Sequence, residues 1–180
     1  MLHPLTQNKF RNLLFSIIFS QSNQLLMKID KPTTTQDLES NPRLKRLFLQ
    51  LEQLIEEINK REIPDEVTAL LNKDIQELNT STATNGSYMR LVKSKQGLIL
   101  KNLEKHLKIV PINYYRNIWL AVGMTAFGLP FGTLLGFLTK NMGLIGIGLP
   151  LGVAIGSVIG INADKKAEKE GRQLNIQLKY

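Results

Sequence analysis

The sequence predicts an all-α membrane protein in which about three cytoplasmic amphipathic helices precede a transmembrane helical hairpin. The first observation is a pair of uncharged stretches, residues 118–138 and 142–161, which contain 21 and 20 residues. Only Thr139, Lys140 and Asn141 separate them. About 20 helical residues cross the roughly 30 Å hydrocarbon core of a bilayer. The second observation is that the preceding chain places apolar residues at helical spacing among charged ones, which is typical of helices with one wet face.

Composition narrows the function classes. At 180 residues the chain has room for one ordinary domain, or for a small domain with a membrane anchor. It has no cysteine, which excludes disulfides, thiolate metal sites and a cysteine nucleophile. A net charge of +8 suggests nucleic acid in a soluble protein, but here basic residues flank the apolar stretches, so we predict no specific nucleic acid. No nucleophile–base pair, metal-ligand cluster or phosphate loop is recognisable, and we therefore predict no enzyme activity, no cofactor and no metal.

Residues 1–35 form an N-terminal arm whose role the sequence leaves open. An apolar run at residues 13–19 follows Lys9 and Arg11, as in a secretory signal, but seven residues are too few to span a bilayer. The alternatives are a signal, an interfacial or docking helix, and a poorly ordered segment that precedes a natural start at Met27.

Residues 36–110 are predicted to form a cytoplasmic bundle or coiled coil of three helices. The first helix begins at Asn41-Pro42 and ends near Arg61, and the second begins at Pro64. A flexible loop at residues 80–87 leads to a third helix over about residues 88–108. The predicted apolar faces are Leu44, Phe48, Leu51, Ile55 and Ile58 in the first helix, Val67, Leu70, Leu71, Ile75 and Leu78 in the second, and Val92, Ile99, Leu103, His106, Leu107 and Val110 in the third.

Glycines recur at every fourth residue in both apolar stretches of the hairpin, which we place at residues 114–163. The series are Gly128, Gly132 and Gly136 in the first stretch, and Gly148, Gly152, Gly156 and Gly160 in the second. Residues four apart share a helix face, so each helix presents a groove without side chains. Helices in lipid associate where backbones approach closely, so the pattern predicts tight packing. It leaves open whether the partner helix belongs to the same chain or to another copy.

The two stretches also repeat, since GLPFGTLLG recurs as GLPLGVAIG after a shift of 20 residues. An inverted repeat of this kind occurs in transporters, and it also arises from parallel selection for the same packing. Pro130 and Pro150 are predicted to kink the helices at matched depth. Each proline removes a backbone donor and leaves the carbonyl of Ala126 or Gly146 without its usual partner. Such kinks fit either a gate or the nesting of two bent helices.

Aromatic and basic residues flank the spans and predict their depth and orientation. The predicted membrane-interface residues are Tyr114, Tyr115, Arg116 and Trp119 before the first span, and Lys165 and Lys166 after the second. Because the turn carries Lys140 alone, both termini are expected in the cytoplasm. Residues 164–180 form a basic cytoplasmic tail that starts as a short helix, ends that helix at Gly171, and continues as a short strand or a docking tail.

Three motifs carry a resemblance: NYYRNIW before the first span, the two GLPxGxxxG copies, and DKKAEKEGRQ after the second. With them, the chain from about residue 106 to residue 180 resembles small bacterial glycine-zipper membrane proteins, an uncharacterised group. The resemblance implies a C-terminal two-helix transmembrane hairpin and a bacterial source, and hence the inner (cytoplasmic) membrane. It implies no activity.

These features predict an integral membrane protein that anchors a helical interaction module to the cytoplasmic face of the inner membrane. The expected partners are the lipid bilayer, further copies of the chain that associate through the glycine-zipper faces, and a cytoplasmic protein. The alternative is a pore-forming or membrane-permeabilising protein of toxin or defence type, because kinked glycine-zipper helices can pack as rings. The apolar spans, however, contain no hydrophilic lining for a pore.

Overall fold

The computed structural model describes residues 28–178, and the predictions for residues 13–19 and for Met27 lie outside this range. The described chain begins with an extended segment and continues into three helices, α1 (Pro42–Asn59), α2 (Asp65–Asn79) and α3 (Asn85–Leu107). We refer to these three helices as the bundle.

An apolar hairpin follows the bundle and strand β1 (Val110–Pro111). Its first helix joins α4 (Tyr114–Val122), a π-helical segment (Gly123–Gly128) and α5 (Leu129–Leu138), and we name it the first hairpin helix. A 3₁₀ turn (Met142–Leu144) and α6 (Ile145–Lys169) make the second hairpin helix. Strand β2 (Gln173–Leu174) then pairs in parallel with β1. The fold is mostly helical, as predicted, with this one short strand pair added.

The bundle core forms where α3 packs against both α1 and α2. Helix α1 starts as predicted, because the Asn41 side chain accepts a hydrogen bond from the Leu44 N–H and Pro42 occupies the first turn. All five predicted apolar residues of α1 are buried. The prediction is wrong for two residues of the other helices that it placed on apolar faces, since Leu70 is 40% exposed and His106 is exposed. The predicted loop is also too long, because α3 begins at Asn85.

A buried ion pair links α2 to α3. The Lys95 side chain is only 9% exposed, and its Nζ lies 2.9 Å from Asp74 Oδ1 and also contacts Glu77 Oε2. Burial lowers the pKa of Lys95, but hydrogen bonds to Glu77 and Asp74 outweigh burial, and the net pKa is raised. The hydrogen bond from Lys95 lowers the pKa of Glu77.

The hairpin turn is the tight connection that the sequence predicts. Lys140 adopts a left-handed backbone with φ of 54°, and the N–H of Asn141 returns to the Gly136 carbonyl at 3.0 Å. The Asn141 side chain then accepts a hydrogen bond from the Gly143 N–H at 3.0 Å and caps the second hairpin helix. The first hairpin helix thus ends, and the second is capped, within residues 139–141.

The two prolines are accommodated differently. Pro130 lies in the first turn of α5, directly after the π-helical segment, and the Leu129 N–H reaches back to the Met124 carbonyl. π-Helical segments are rare and occur mostly as single turns within α-helices. Pro150 lies inside α6, which continues without interruption from Ile145 to Lys169. The prolines therefore lie equally far from the turn, but the local backbone around them is not the same.

Both ends of the described chain pack on the bundle, which corrects two boundaries. Residues 28–35, assigned by sequence to a poorly ordered or interfacial arm, contribute Ile29 to the core at 3% exposure. The basic tail, which the structure describes to residue 178, first completes α6, which ends at Lys169 and is followed by Gly171 in a left-handed conformation with φ of 68°. It then runs along the bundle and buries Leu174, Ile176 and Leu178 in the same core. Alternate burial is the strand pattern, so the tail is both a short strand and a docking segment.

We expect Leu174→Ala to destabilise the bundle, although Leu174 lies beyond the hairpin in sequence. The side chain is 1% exposed, and removing a buried leucine costs about 2–5 kcal/mol. Urea unfolding of the purified protein in detergent, followed by circular dichroism, measures the loss. Asn175→Ala is the matched control, because Asn175 is exposed in the same segment. Equal midpoints for the two variants would contradict the docked tail.

We also expect the Lys95 cluster to make the bundle sensitive to acid. A lowered folded pKa means that Glu77 stabilises the fold above its ordinary value of 4.5, and this contribution is lost as the pH falls through the folded pKa. The raised pKa of Lys95 means that its own contribution to stability is lost above the ordinary lysine value of 10.5, as the pH rises. Compared with Lys93→Met at an exposed position, Lys95→Met should lower the stability of the bundle at neutral pH. The stability of Lys95→Met should also fall less steeply as the pH drops below 4.5. Parallel pH profiles for the two variants would contradict this assignment.

Candidate functional site

The two hairpin helices meet through glycine faces. In the hairpin up to Ile161, the residues classed as buried are eight glycines: Gly123, Gly128, Gly132, Gly136, Gly148, Gly152, Gly156 and Gly160. All seven glycines of the predicted series belong to this set. In this structure each glycine face packs against the other hairpin helix of the same chain.

The helices approach so closely that side chains are excluded from the contact. A Cβ built on Gly152 would lie 2.4 Å from the Gly123 carbonyl oxygen, and one on Gly148 would lie 2.1 Å from the Gly128 carbonyl oxygen. At Gly156 the corresponding distance is 2.0 Å, to the carbonyl oxygen of Trp119. These neighbours are backbone atoms, which cannot swing away. Glycine is therefore required at these positions by the separation of the helices.

The π-helical segment brings an eighth glycine into the contact. Gly123 precedes Gly128 by five residues, whereas the later glycines of the first hairpin helix follow at intervals of four. A π-helical turn takes up one more residue than an α-helical turn, so it returns Gly123 to the glycine face. There Gly123 meets the backbone of Gly152 and Gly156. The five-residue interval between Gly123 and Gly128 is visible in the sequence. A search for glycines spaced by four residues does not include it, so the role of Gly123 was missed.

The outward surface of the hairpin is apolar and open. In the most apolar 18-residue windows of its two helices, only 17% and 22% of residues are buried. The exposed side chains include Phe137 at 75%, Leu138 at 68% and Met142 at 63%. A core helix of a soluble protein would instead be covered by its own chain. Both helices are long and apolar enough to cross a membrane.

Asp164 closes the base of the hairpin at the end nearest the bundle. Its Oδ1 accepts a hydrogen bond from the Tyr115 N–H at 3.0 Å, and its Oδ2 accepts one from the Arg116 N–H at 2.9 Å. Asp164 is 7% exposed as a residue, and its carboxylate caps the first turn of α4, where a negative charge is favoured by the helix dipole. One helix of the pair thus satisfies the free backbone donors of the other.

Arginines and a tyrosine tie this base to the bundle. Arg61 donates through Nη1 to the Gly171 carbonyl at 2.7 Å and through Nη2 to the Gln173 carbonyl. Arg172 donates through Nη1 to the Lys108 carbonyl at 2.7 Å. The Tyr115 hydroxyl donates to Glu104 Oε1 at 3.4 Å. These bonds join the end of α1, the end of α3 and both hairpin helices in one polar cluster.

The predicted interface residues all lie at this end of the hairpin. Tyr114 is partly buried and packs on the bundle core, with its ring edge-to-face against Tyr115 at 5.4 Å between centroids. Arg116, Lys165 and Lys166 are exposed. Trp119 is partly exposed. The tyrosines therefore pack against other parts of the protein, which a role in anchoring to lipid alone would not require.

Sequence reasoning missed Asp164, Arg61 and Arg172. Asp164 is the first charge after the second apolar stretch, and a carboxylate at such a place, opposite the start of an antiparallel helix, is a detectable capping signal. The arginines bond to backbone carbonyls far away in sequence, so no local pattern marks them. Within residues 28–178 no group of three or more His, Asp or Glu side chains is placed to hold a metal ion.

Comparisons of the chain with protein-family models, with curated proteins and with solved structures found no match.

We expect Gly152→Ala to force the hairpin helices apart. Its new Cβ would overlap the backbone oxygen of Gly123, and overpacking of this kind costs about 1–3 kcal/mol. Gly146→Ala is the matched control, since a Cβ there meets nothing within 4 Å in the same helix. Thermal unfolding in detergent should show a lower midpoint for Gly152→Ala only. Equal midpoints would mean that the glycine contact does not hold the hairpin together.

Proposed function

We propose that the protein is an integral membrane protein whose hairpin anchors the bundle to the cytoplasmic face of a bacterial inner membrane. The observation that carries the proposal is the pair of apolar helices whose outward surfaces are left open by the rest of the chain. Apolar surface of this extent is unfavourable in water and is matched by lipid tails. The inward faces need no lipid, because they are filled by glycine backbone contacts.

The charge distribution supports an orientation with the bundle inside the cell. Basic residues gather at the bundle end of the hairpin, where Arg116, Lys165 and Lys166 are exposed, while the turn has Lys140 alone. Cytoplasmic flanks of membrane spans carry such an excess of lysine and arginine. Both hairpin helices begin or end at the bundle, so this end and the bundle share one side of the membrane.

The anchor holds the bundle directly at the membrane surface. The chain leaves the bundle at β1, passes through the hairpin, and returns to pair with β1 and complete the bundle core. The polar cluster around Arg61, Tyr115 and Arg172 fixes this junction further. A bundle mounted in this way is suited to presenting its outer surfaces to a cytoplasmic protein.

Self-association remains part of the proposal, but it needs surfaces other than the glycine faces. Those faces are buried within one chain. An outward groove lined by Pro130, Thr133, Leu134, Phe137, Met142 and Ile145 near the turn is apolar and open. A second copy would meet the hairpin through such outward surfaces.

A pore is less well supported than an anchor. The hydroxyls of Thr125 and Thr133 donate to carbonyls of their own helix, Ala121 at 3.0 Å and Pro130 at 2.9 Å. The spans contain no charged side chain, and such residues usually mark ion pathways.

Cysteine labelling tests the anchor and its orientation. Because the chain has no cysteine, Lys140→Cys in the turn and Lys165→Cys at the bundle end provide single exposed thiols. In spheroplasts we expect a membrane-impermeant maleimide to label Lys140→Cys, and to label Lys165→Cys only after permeabilisation. The protein should also stay with membranes in alkaline carbonate. Release by carbonate would overturn the anchor, and the reverse labelling would overturn the orientation.

A further inference from the structure

An extended segment at residues 28–33 lies against α1 and α2 and is held there by asparagine side chains. The Asn59 Oδ1 accepts a hydrogen bond from the Ile29 N–H, and its Nδ2 donates to the Ile29 carbonyl, both at 2.9 Å. The Asn59 amide thus bonds to both the N–H and the carbonyl of Ile29, as a residue of a neighbouring strand would. We call residues 28–33 the arm.

Two further asparagines on α2 hold the arm in a related way, since each accepts from one arm residue and donates to the residue two positions earlier. Asn72 accepts from the Asp30 N–H at 2.7 Å and donates to the Lys28 carbonyl at 3.2 Å. Asn79 accepts from the Thr33 N–H at 2.7 Å and donates to the Lys31 carbonyl at 3.2 Å. We call the surface formed by Asn59, Asn72 and Asn79 the asparagine groove. Each of its six hydrogen bonds goes to main-chain atoms of the arm, so none depends on the side chains that the arm carries.

Selectivity comes from two side chains of the arm. Ile29 is 3% exposed and Pro32 is buried, while Lys28, Asp30, Lys31 and Thr33 are exposed. The groove therefore accepts an apolar residue followed three positions later by proline. Proline fits because the amide contacts in this stretch use the N–H groups of Ile29, Asp30 and Thr33, and not that of residue 32.

The rim of the groove is acidic where the arm is basic. A cavity of about 460 Å³ is lined by Lys28, Lys31 and Pro32 of the arm together with Glu52, Ile55, Glu56 and Asn59 of α1. Glu52 and Glu56 are exposed and lie one helical turn apart on the same face. Their charge favours lysine or arginine beside the apolar anchor of a bound segment.

These contacts are of the kind that proteins use to bind extended peptides from other chains. Main-chain hydrogen bonds give affinity and pockets for alternate side chains give specificity. Asparagine is a poor helix former, yet it occupies the interior of α2 at Asn72 and the last helical position of both α1 and α2. Each of these residues is accounted for by its contacts with the arm.

We propose that the asparagine groove is a docking site for an extended peptide segment of a cytoplasmic partner protein. The segment carries an apolar residue followed three positions later by proline, with basic residues beside them. The arm occupies the site as an intramolecular competitor. This inference deepens the proposed anchor, since it names the surface through which the mounted bundle meets its partner.

The tethered arm sets a clear expectation for competition. A segment on a short tether competes at an effective concentration in the millimolar range, so an added peptide binds the intact chain weakly. Weakening the arm should therefore increase the affinity for an added peptide.

The test measures binding of a fluorescent peptide with the sequence of residues 28–35, KIDKPTTT, to the full-length protein in detergent micelles. We expect Ile29→Asp in the protein to raise the peptide's affinity by about tenfold or more, because the tethered competitor is weakened. Adding Asn72→Ala to that variant should abolish the gain, whereas adding Gln76→Ala, at an exposed position of the same helix, should keep it. A peptide carrying the same Ile→Asp change should not bind.

A second variant guards against misfolding of Ile29→Asp. A protease site inserted after Thr35 leaves the arm and the groove unaltered until cleavage, after which the released arm is free to exchange with the labelled peptide. Absence of peptide binding in both the cleaved protein and a folded Ile29→Asp variant overturns the proposal. An intact protein that is dimeric, and that the peptide converts to monomers, also overturns it and assigns the groove to the arm of a second copy. Because binding is measured in micelles, these results do not depend on the membrane orientation, which the labelling experiment tests separately.

Discussion

Backbone-to-backbone contact between two antiparallel helices is the constraint on which the hairpin depends. At six of the eight glycine positions, which are Gly123, Gly128, Gly132, Gly148, Gly152 and Gly156, a carbonyl oxygen of one helix lies where the other helix would need to place a Cβ. Because glycines occupy most of the seam, many of the large apolar side chains of both helices lie on the outer surface. The same contact that holds the hairpin together thus leaves an open apolar surface on both helices, which are long and apolar enough to cross a membrane.

The base of the hairpin shows how this close pair of helices is joined to the bundle. At the turn end the helices need only one left-handed residue, Lys140, and a capping asparagine. At the other end the first helix starts with unpaired N–H groups, and Asp164 of the second helix satisfies two of them. The chain beyond Asp164 then inserts Leu174, Ile176 and Leu178 into the bundle core. The core of the bundle therefore includes residues that lie on both sides of the hairpin in the sequence.

Much of this fold was predictable from periodicity, because helix faces depend on residues three and four apart. The apolar face of α1, the tight turn and the glycine series all follow from such local patterns. The inward position of Lys95 did not, since its burial depends on carboxylates supplied by another helix. The asparagine contacts were equally invisible, because Asn59, Asn72 and Asn79 look like ordinary solvated residues until the arm is placed beside them. The role of Gly123 required a π-helical turn, which a rule of four residues cannot anticipate.

The two ends of the described chain pack on the same bundle by different physical means. The tail contributes three buried apolar side chains and pairs its backbone with that of β1, so its removal would open the core. The arm contributes two buried side chains, and asparagine amides make the hydrogen bonds that hold its backbone. The arm also places Ile29 in that core, but its asparagine contacts are made to main-chain atoms, which any extended segment with the same two anchors carries. This difference is why we treat the tail as part of the fold and the arm as an exchangeable occupant of a binding groove.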